Sequence, residues 1–257
     1  LRMAIEAGHN AVFLNTDVEL PWFWLERLMK PIFEDGTVAS TTPFTNSGAI
    51  CSFPEFRRDN KLFAGLKLWQ VDDVFSRLEP EYPEMPTGVG FCMGVSIRAL
   101  ETVGILDEVV FGKGYGEEND WCRRAMEKGF RNVHVDNLFV YHKHGGSFPS
   151  EEKKRLIKEN MEALLKKHPD YNHEVQEYII SDPAKNVRVF AENKMLAMTE
   201  NYTILAFHHN IGGGAGVYLE REKDKALAEG KRFVIVRYDA QARLYITEQY
   251  YDIPVIT

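Results

Sequence analysis

Cysteine is scarce in this sequence. Cys51, Cys92 and Cys122 are an odd number with no CxxC spacing, which argues against a disulfide framework and a structural zinc site and points to a reducing, cytoplasmic compartment. Long hydrophobic runs are missing as well: the most apolar stretches, Ala11–Leu14 and Gly90–Ile97, fall short of the ~18–20 residues that cross a bilayer. Neither a signal peptide nor a transmembrane segment is expected. Positive charge is in deficit, with 31 Lys and Arg against 38 Asp and Glu, a net −7. No global positive field therefore exists to recruit nucleic acid, and no nucleic-acid partner is expected. What is present is the balance of an ordinary globular protein: 257 residues, 44% hydrophobic, 12% aromatic and 27% charged, enough for one large or two smaller units.

Patterning along the chain alternates strands with helices. Leu1–Ala7 reads as the end of a helix stopped by Gly8-His9-Asn10. Ala11–Leu14 does not alternate and so reads as a buried strand of the parallel-sheet kind. Trp22, Leu25, Leu28, Met29, Ile32 and Phe33 recur at helical spacing behind Pro21. A strand at Val38–Ser40 follows, then a long loop over 41–60 of the sort usually kept for function. A helix is expected between Phe63 and Leu78, a strand at Gly90–Ile97, and a short helix at Ala99–Val103. Beyond the glycine turn at Gly112, Gly114 and Gly116, a helix should run from Glu118 to Lys128 and stop at Gly129. Val133–Val135 and Leu138–His142 read as two further strands. Ser150 can cap a charged helix reaching Lys167, and 170–200 reads as a polar connector. Thr203–Phe207, the Gly212–Gly216 loop, a helix to Ala228 and the strand Phe233–Tyr238 form a β-α-β unit that begins a new domain. The fold class is α/β.

Several residues could carry chemistry. Asp17 and Glu19 follow a strand directly, and two hard carboxylate ligands with substrate phosphates suit Mg²⁺ or Mn²⁺; the alternative is a solvated loop. Glu117, Glu118 and Asp120 open a helix at its positive end, either as ordinary caps or with one of them as a general base for an acceptor hydroxyl. His142 and His144 end a strand and could complete a metal site or be structural. Gly88 and Gly90 could leave room for a sugar or simply form a turn. Among the tryptophans, which at helical spacing usually belong to a core, Trp121 stands beside the acid cluster as a sugar-stacking candidate.

Taken in order, LNTDVELPWFWLERL (14–28), TPFTNSGAICSFPEF (42–56), MPTGVGFCMGVSIR (85–98), GILDEVVFGKGYGEENDWCRRAMEKGF (104–130) and VYHKHGGSF (140–148) resemble a family 2 glycosyltransferase of the GT-A fold, in the bacterial rhamnosyl- and galactosyltransferase-like group. The resemblance covers nearly all of 1–149. It implies a hexosyltransferase-type enzyme that moves a sugar, with inversion, from a nucleotide-diphosphate sugar donor to a glycan or lipid-linked acceptor in cell-surface polysaccharide synthesis. It also implies Mn²⁺ or Mg²⁺ held by Asp17, Glu19 and His142. Glu118 matches the catalytic acidic residue of the family's G-E-D/E-x-D motif, with Glu117 and Asp120 orienting donor, acceptor or base, and Gly88, Gly90, Asp107 and Trp121 fall on the substrate side. A lipid-linked acceptor would bring the protein to the inner face of the membrane as a peripheral component.

Family members carry several strands and helices before the metal motif, whereas sixteen residues precede Asp17 here. The expectation is therefore a GT-A domain over 1–149 without its nucleotide-binding part, a helical connector over 150–200, and a Rossmann-like start over 201–257 that is similar to the opening of a family 4, GT-B-fold glycosyltransferase. Two other classes fit the same residues: a non-catalytic carbohydrate-binding or scaffold module, and a metal-assisted hydrolase.

Overall fold

The computed structural model describes residues 1–112, 114–143, 151–198, 203–209, 213–229, 231–239 and 243–250. Their contacts divide the chain into two units, Leu1–Leu62 with Lys67–Glu192, and Phe63–Leu66 with Asn193–Thr257. The fold is mixed α/β in both.

The first unit is built on a six-stranded sheet. Its strands are β1 (Ala11–Leu14), β2 (Val18–Glu19), β3 (Val38–Thr45), β4 (Glu84–Met85), β5 (Cys92–Val95) and β6 (Arg131–His142). They lie in the order β1-β5-β3-β6-β2, with β4 also on β6. Only β3 and β6 run parallel; the other pairs are antiparallel. The expected parallel setting of β1 is thus corrected: it ends the strand order, pairs antiparallel with β5, and none of its residues is fully buried. Its lack of alternation has another cause, since Ala11 and Phe13 pack on one side cluster and Val12 on the other. Each face of the strand meets an apolar partner without being sealed by it.

β3 is the centre of the sheet, and all eight of its residues are buried. The sequence reading broke it at Ser40 because Thr, Ser and Pro follow. It continues to Thr45 because it pairs with β6 along that length; of its hydroxyls, Ser40 Oγ donates to Asn132 Oδ1 at 2.7 Å and Thr42 Oγ1 accepts from Val89 N at 3.1 Å, while Thr41 Oγ1 is buried without a hydrogen-bond partner. Satisfied polar groups can be buried at little cost. β6 is likewise one strand rather than two. A register shift against β3 after Pro43 takes up the residues between the two expected halves, and there Asp136 accepts from the Glu81 and Tyr82 amides.

Nine helices begin in this unit among the described residues: α1 (Arg2–Ala7), α2 (Trp24–Glu34), α3 (Leu68–Ser76), α4 (Ile97–Val103), α5 (Glu108–Phe111), α6 (Glu117–Glu127), α7 (Glu151–Lys167), α8 (Tyr171–Ser181) and α9 (Lys185–Met198). α2 buries Leu28, Met29 and Ile32, but Trp22 precedes it and Phe33 faces out. α3 is shorter than expected. The stretch read as a connector is helical, and α8 sets Tyr171 and Tyr178 into apolar clusters of the first unit. A few large anchors in a polar sequence were enough to dock it.

In the second unit β7 (Thr203–His209) runs parallel to β8 (Arg232–Asp239), which pairs antiparallel with β9 (Leu244–Tyr250). α10 (Gly214–Ala228) connects β7 to β8 and buries Ala226 against Phe233 and Ile235. The β-α-β unit read from sequence is present; Gly212 lies outside the described residues. All three cysteines are buried and unbridged. Among the described residues no helix is long and apolar enough to cross a membrane.

Candidate active site

A cleft of about 630 Å³ opens beside β1, with Phe13, Leu14 and Leu106 on an apolar wall and Asp17, Gly90, Glu117, Glu118 and His142 among its polar lining. Residues far apart in sequence meet here because β2 pairs with the end of β6, placing Val18 opposite His142. Asp17 thereby comes to the histidine, Oδ1 to Nε2 3.2 Å, and Lys143 N donates to the Asp17 carbonyl at 2.7 Å.

His142 is held at its backbone, at one ring face and at its ring nitrogens. The Asn46 side chain brackets its backbone, accepting from His142 N at 2.8 Å and donating to His142 O at 2.9 Å. Phe91 stacks on the ring at 5.4 Å. Nδ1 lies 3.2 Å from the Ser47 carbonyl, which can only accept. Nε2, on the other side of the ring, faces the Asn15 amide at 3.4 Å and the Asp17 carboxylate at 3.2 Å. An imidazole nitrogen and a carboxylate oxygen this close share either a proton or a cation.

The opposite wall is the first turn of α6. Gly116 caps it at φ 109°, a backbone conformation that only glycine adopts without strain. Glu117 and Glu118 follow, at the end where the helix dipole favours negative charge. Each nevertheless has one carboxylate oxygen, Oε2, buried with no hydrogen-bond partner. Burial, and then the charge of Glu117, push the Glu118 carboxyl up to about 7, although the Glu118 and Gly116 amides pull the other way. A carboxylate poised near neutrality beside an open cleft suits a general base.

The structure brings Asp17, Gly90, Glu117, Glu118 and His142 to the cleft and leaves the other candidates elsewhere. Glu19 is ion-paired with Lys143 at 2.6 Å and is not in the lining. Gly88 is buried, and a Cβ there would stand 2.8 Å from Met93 Sδ, so its glycine serves packing. Asp107 caps α5 by accepting from Val110 N at 3.1 Å and pairs with Lys167, which holds its carboxyl below the usual range. Asp120 is 0% exposed. Burial would raise its carboxyl, but hydrogen bonds from Lys167 (2.6 Å), His168 (2.9 Å) and Arg124 (2.8 Å) hold it below the usual range. Its expected place beside the reacting groups is corrected to that of an ionic tie between helices. Trp121 is 1% exposed and donates Nε1–H to the Gly104 carbonyl at 2.8 Å, so neither ring face is open to a sugar. Trp22 and Trp69, expected in a core, are instead 81% and 61% exposed and flank a second cleft of about 340 Å³ with Arg27 and Asp73.

His144, Gly145 and Gly146 lie outside the described residues. Among the described residues no group of three or more His, Cys, Asp and Glu stands ready to hold a metal ion; Asp17 and His142 form a pair. Asn15, Asn46 and Ser47 were not singled out from sequence. The signal for the last two was their place in the 42–56 motif, and nothing in spacing tied them to a residue about ninety-five positions away.

No protein-family model matches the chain, and no curated protein matches it. Among solved structures it is similar to a crystal structure of GalNAc-T7 with UDP, GalNAc and Mn²⁺. The identity is 15% and the TM-score 0.39, and the match covers 75% of this chain and 39% of that one.

Proposed function

We propose that this chain carries the catalytic cleft of a family 2, GT-A-type glycosyltransferase, transferring a sugar from a nucleotide-diphosphate sugar to a hydroxyl of a glycan or lipid-linked acceptor with inversion. The observation that supports it most is the meeting of Asp17, Glu118 and His142, the three residues the resemblance assigns to metal and base, in one cleft. On this reading Glu118 takes the proton from the acceptor hydroxyl. The acceptor oxygen bonds to the anomeric carbon from the face opposite the diphosphate, whose bond to that carbon breaks. Glu117 keeps negative charge beside the base and helps hold it near neutrality.

The Asp17 oxygen and the His142 nitrogen fit Mn²⁺ or Mg²⁺, because a carboxylate and an imidazole 3.2 Å apart are ligand types that can share a cation and leave positions for phosphate oxygens and water. Glu19 is the weaker candidate ligand, being committed to Lys143. When bound, such an ion supplies positive charge opposite the leaving diphosphate. The acceptor belongs, on the same reading, to bacterial cell-surface polysaccharide made at the cytoplasmic face of the membrane.

Calorimetric titration with a panel of sugar nucleotides, with Mn²⁺, with Mg²⁺ and without metal, tests the reading. Metal-dependent binding is expected, weakened at least tenfold by Asp17→Ala; no binding of any sugar nucleotide with either metal would sink it. A carbohydrate-binding module without catalysis is the second reading, and exposed Trp22 and Trp69 favour it. It expects sugar binding that ignores metal and nucleotide and is lost in Trp69→Ala.

A further inference from the structure

We propose that Asn160 on α7 is a positioning residue, holding the glycine turn before α6 so that Glu117 and Glu118 stay in the cleft. Its side-chain amide donates to two carbonyls of that turn, Phe111 O at 2.9 Å and Gly114 O at 2.6 Å. Both carbonyls sit where glycines interrupt regular structure: Gly112, Gly114 and Gly116 all have positive φ. From within, Gly112 N donates to Glu108 O at 3.1 Å and Gly114 N to Phe111 O at 3.3 Å, and glycine backbones are otherwise the most permissive. Asn160 is itself buried, 6% exposed, so its two N–H groups are spent on this turn rather than on water.

The remainder of α7 repeats the contact along one face. Leu164, four residues on, packs on Phe111, and Lys167, three further, reaches Asp107 and Asp120 at 2.9 and 2.6 Å and lies 5.5 Å over the Phe111 ring. Residues at this spacing share a helix face. α7 thus grips the chain on both sides of the acidic turn: Asp107 before it, Asp120 after it, and Asn160 on the turn. A Cβ at Gly116 would stand 3.3 Å from Phe111 and 3.8 Å from the Asn160 carbonyl, so the turn has little room to move toward the helix. Nothing in the sequence of a charged helix more than thirty residues from the acids announces this role.

The inference rests on reading Glu118 as the base of the cleft, but its test needs no turnover. The groups that face Glu118 are Glu117 and Cys122 on its own helix, Tyr171 on α8 and, across the cleft, Asp17 and His142; Asn160 variants alter none of them. Carbon-13 carboxyl titration of Glu118 and amide exchange at Gly114, Gly116 and Asp120 are to be compared in wild type, Asn160→Ala and Glu174→Gln. The last breaks the Arg123–Glu174 pair between α6 and α8 and leaves the turn alone. With Asn160→Ala the exchange of these amides should rise at least tenfold, and the Glu118 midpoint should fall from about 7 toward an ordinary carboxylate. Glu174→Gln should leave both in place. Should Asn160→Ala not fold, Asn160→Ser, which keeps one shorter donor, should move both readouts in the same direction by less. Unchanged readouts in a folded Asn160 variant, or equal changes in Glu174→Gln, would overturn the proposal. If the turn loosens as expected while no sugar nucleotide binds the wild type, the glycosyltransferase reading falls and the positioning role stands.

Discussion

Glu118 and Asp120 are two residues apart on one helix turn and have opposite electrostatics. Asp120 points at the cations Lys167 and Arg124 and is hydrogen-bonded to His168, and its carboxyl is held low despite burial. Its stability contribution is therefore present above the ordinary aspartate value and lost as pH falls through the folded one. Glu118 has a buried oxygen without a partner and a like charge beside it, and its carboxyl sits near 7 instead of 4.5. The folded state thus holds a proton that the unfolded state gives up between those values, so stability falls as pH rises from 4.5 to about 7, and the full penalty applies above. Glu118→Gln should remove it. Urea denaturation should show the variant more stable by about 1–3 kcal/mol at pH 8 and no different at pH 4. The same change should lower transfer by about 10²–10⁴-fold, a gain in stability bought with function. In wild type, kcat/KM should rise with pH through about 7, because the base acts only when deprotonated. Equal stability of the two proteins at pH 8 would show that Glu118 is hydrated.

At the scale of elements, the two glycines that flank Val89 separate packing from access. A Cβ at Gly88 would stand 2.8 Å from Met93 Sδ, closer than a Cβ allows, and a tight 3.2 Å from Ser40 Oγ, whereas at Gly90 a Cβ would meet Glu118 Cγ only at 3.9 Å. Gly88→Ala should cost about 1–3 kcal/mol by overpacking. Gly90→Ala should leave thermal stability within about 0.5 kcal/mol and weaken ligand binding, since its methyl would enter the cleft; calorimetry and thermal melts on the two variants check the contrast. The turn at Trp22 and Phe23 shows a similar division between chain and context. Phe23 takes φ 57°, and Arg27 holds the turn by donating to the Trp22 and Phe23 carbonyls while it forks onto Asp72. Helical spacing from Pro21 to Phe33 could not reveal this, because the residue that holds the turn reaches across to α3.

At the scale of the whole molecule, one buried cluster of the second unit is small, made of Ala226, Phe233 and Ile235. Phe233→Ala should raise amide exchange in β7 and β8 by more than tenfold and leave β3 and β6 unchanged, since small cores fail locally; hydrogen exchange with mass spectrometry reads both regions at once. Alternation of apolar runs with glycine and proline determined, from the sequence alone, that the fold is α/β, where most helices lie, and that a β-α-β unit follows Thr203. Local order also marked the acids at the start of α6, because a glycine cap and a helix dipole act within one turn. Only the tertiary structure decided which candidates meet. Strand β2 lies on β6, so Asp17 reaches His142; α6 turns Glu118 to the cleft and Asp120 inward; β3 stays a strand through Thr45 because it pairs with the distant β6. Those outcomes depend on pairing across as many as 125 residues, and a side chain's direction, burial and partners are set by that pairing rather than by its neighbours in the chain.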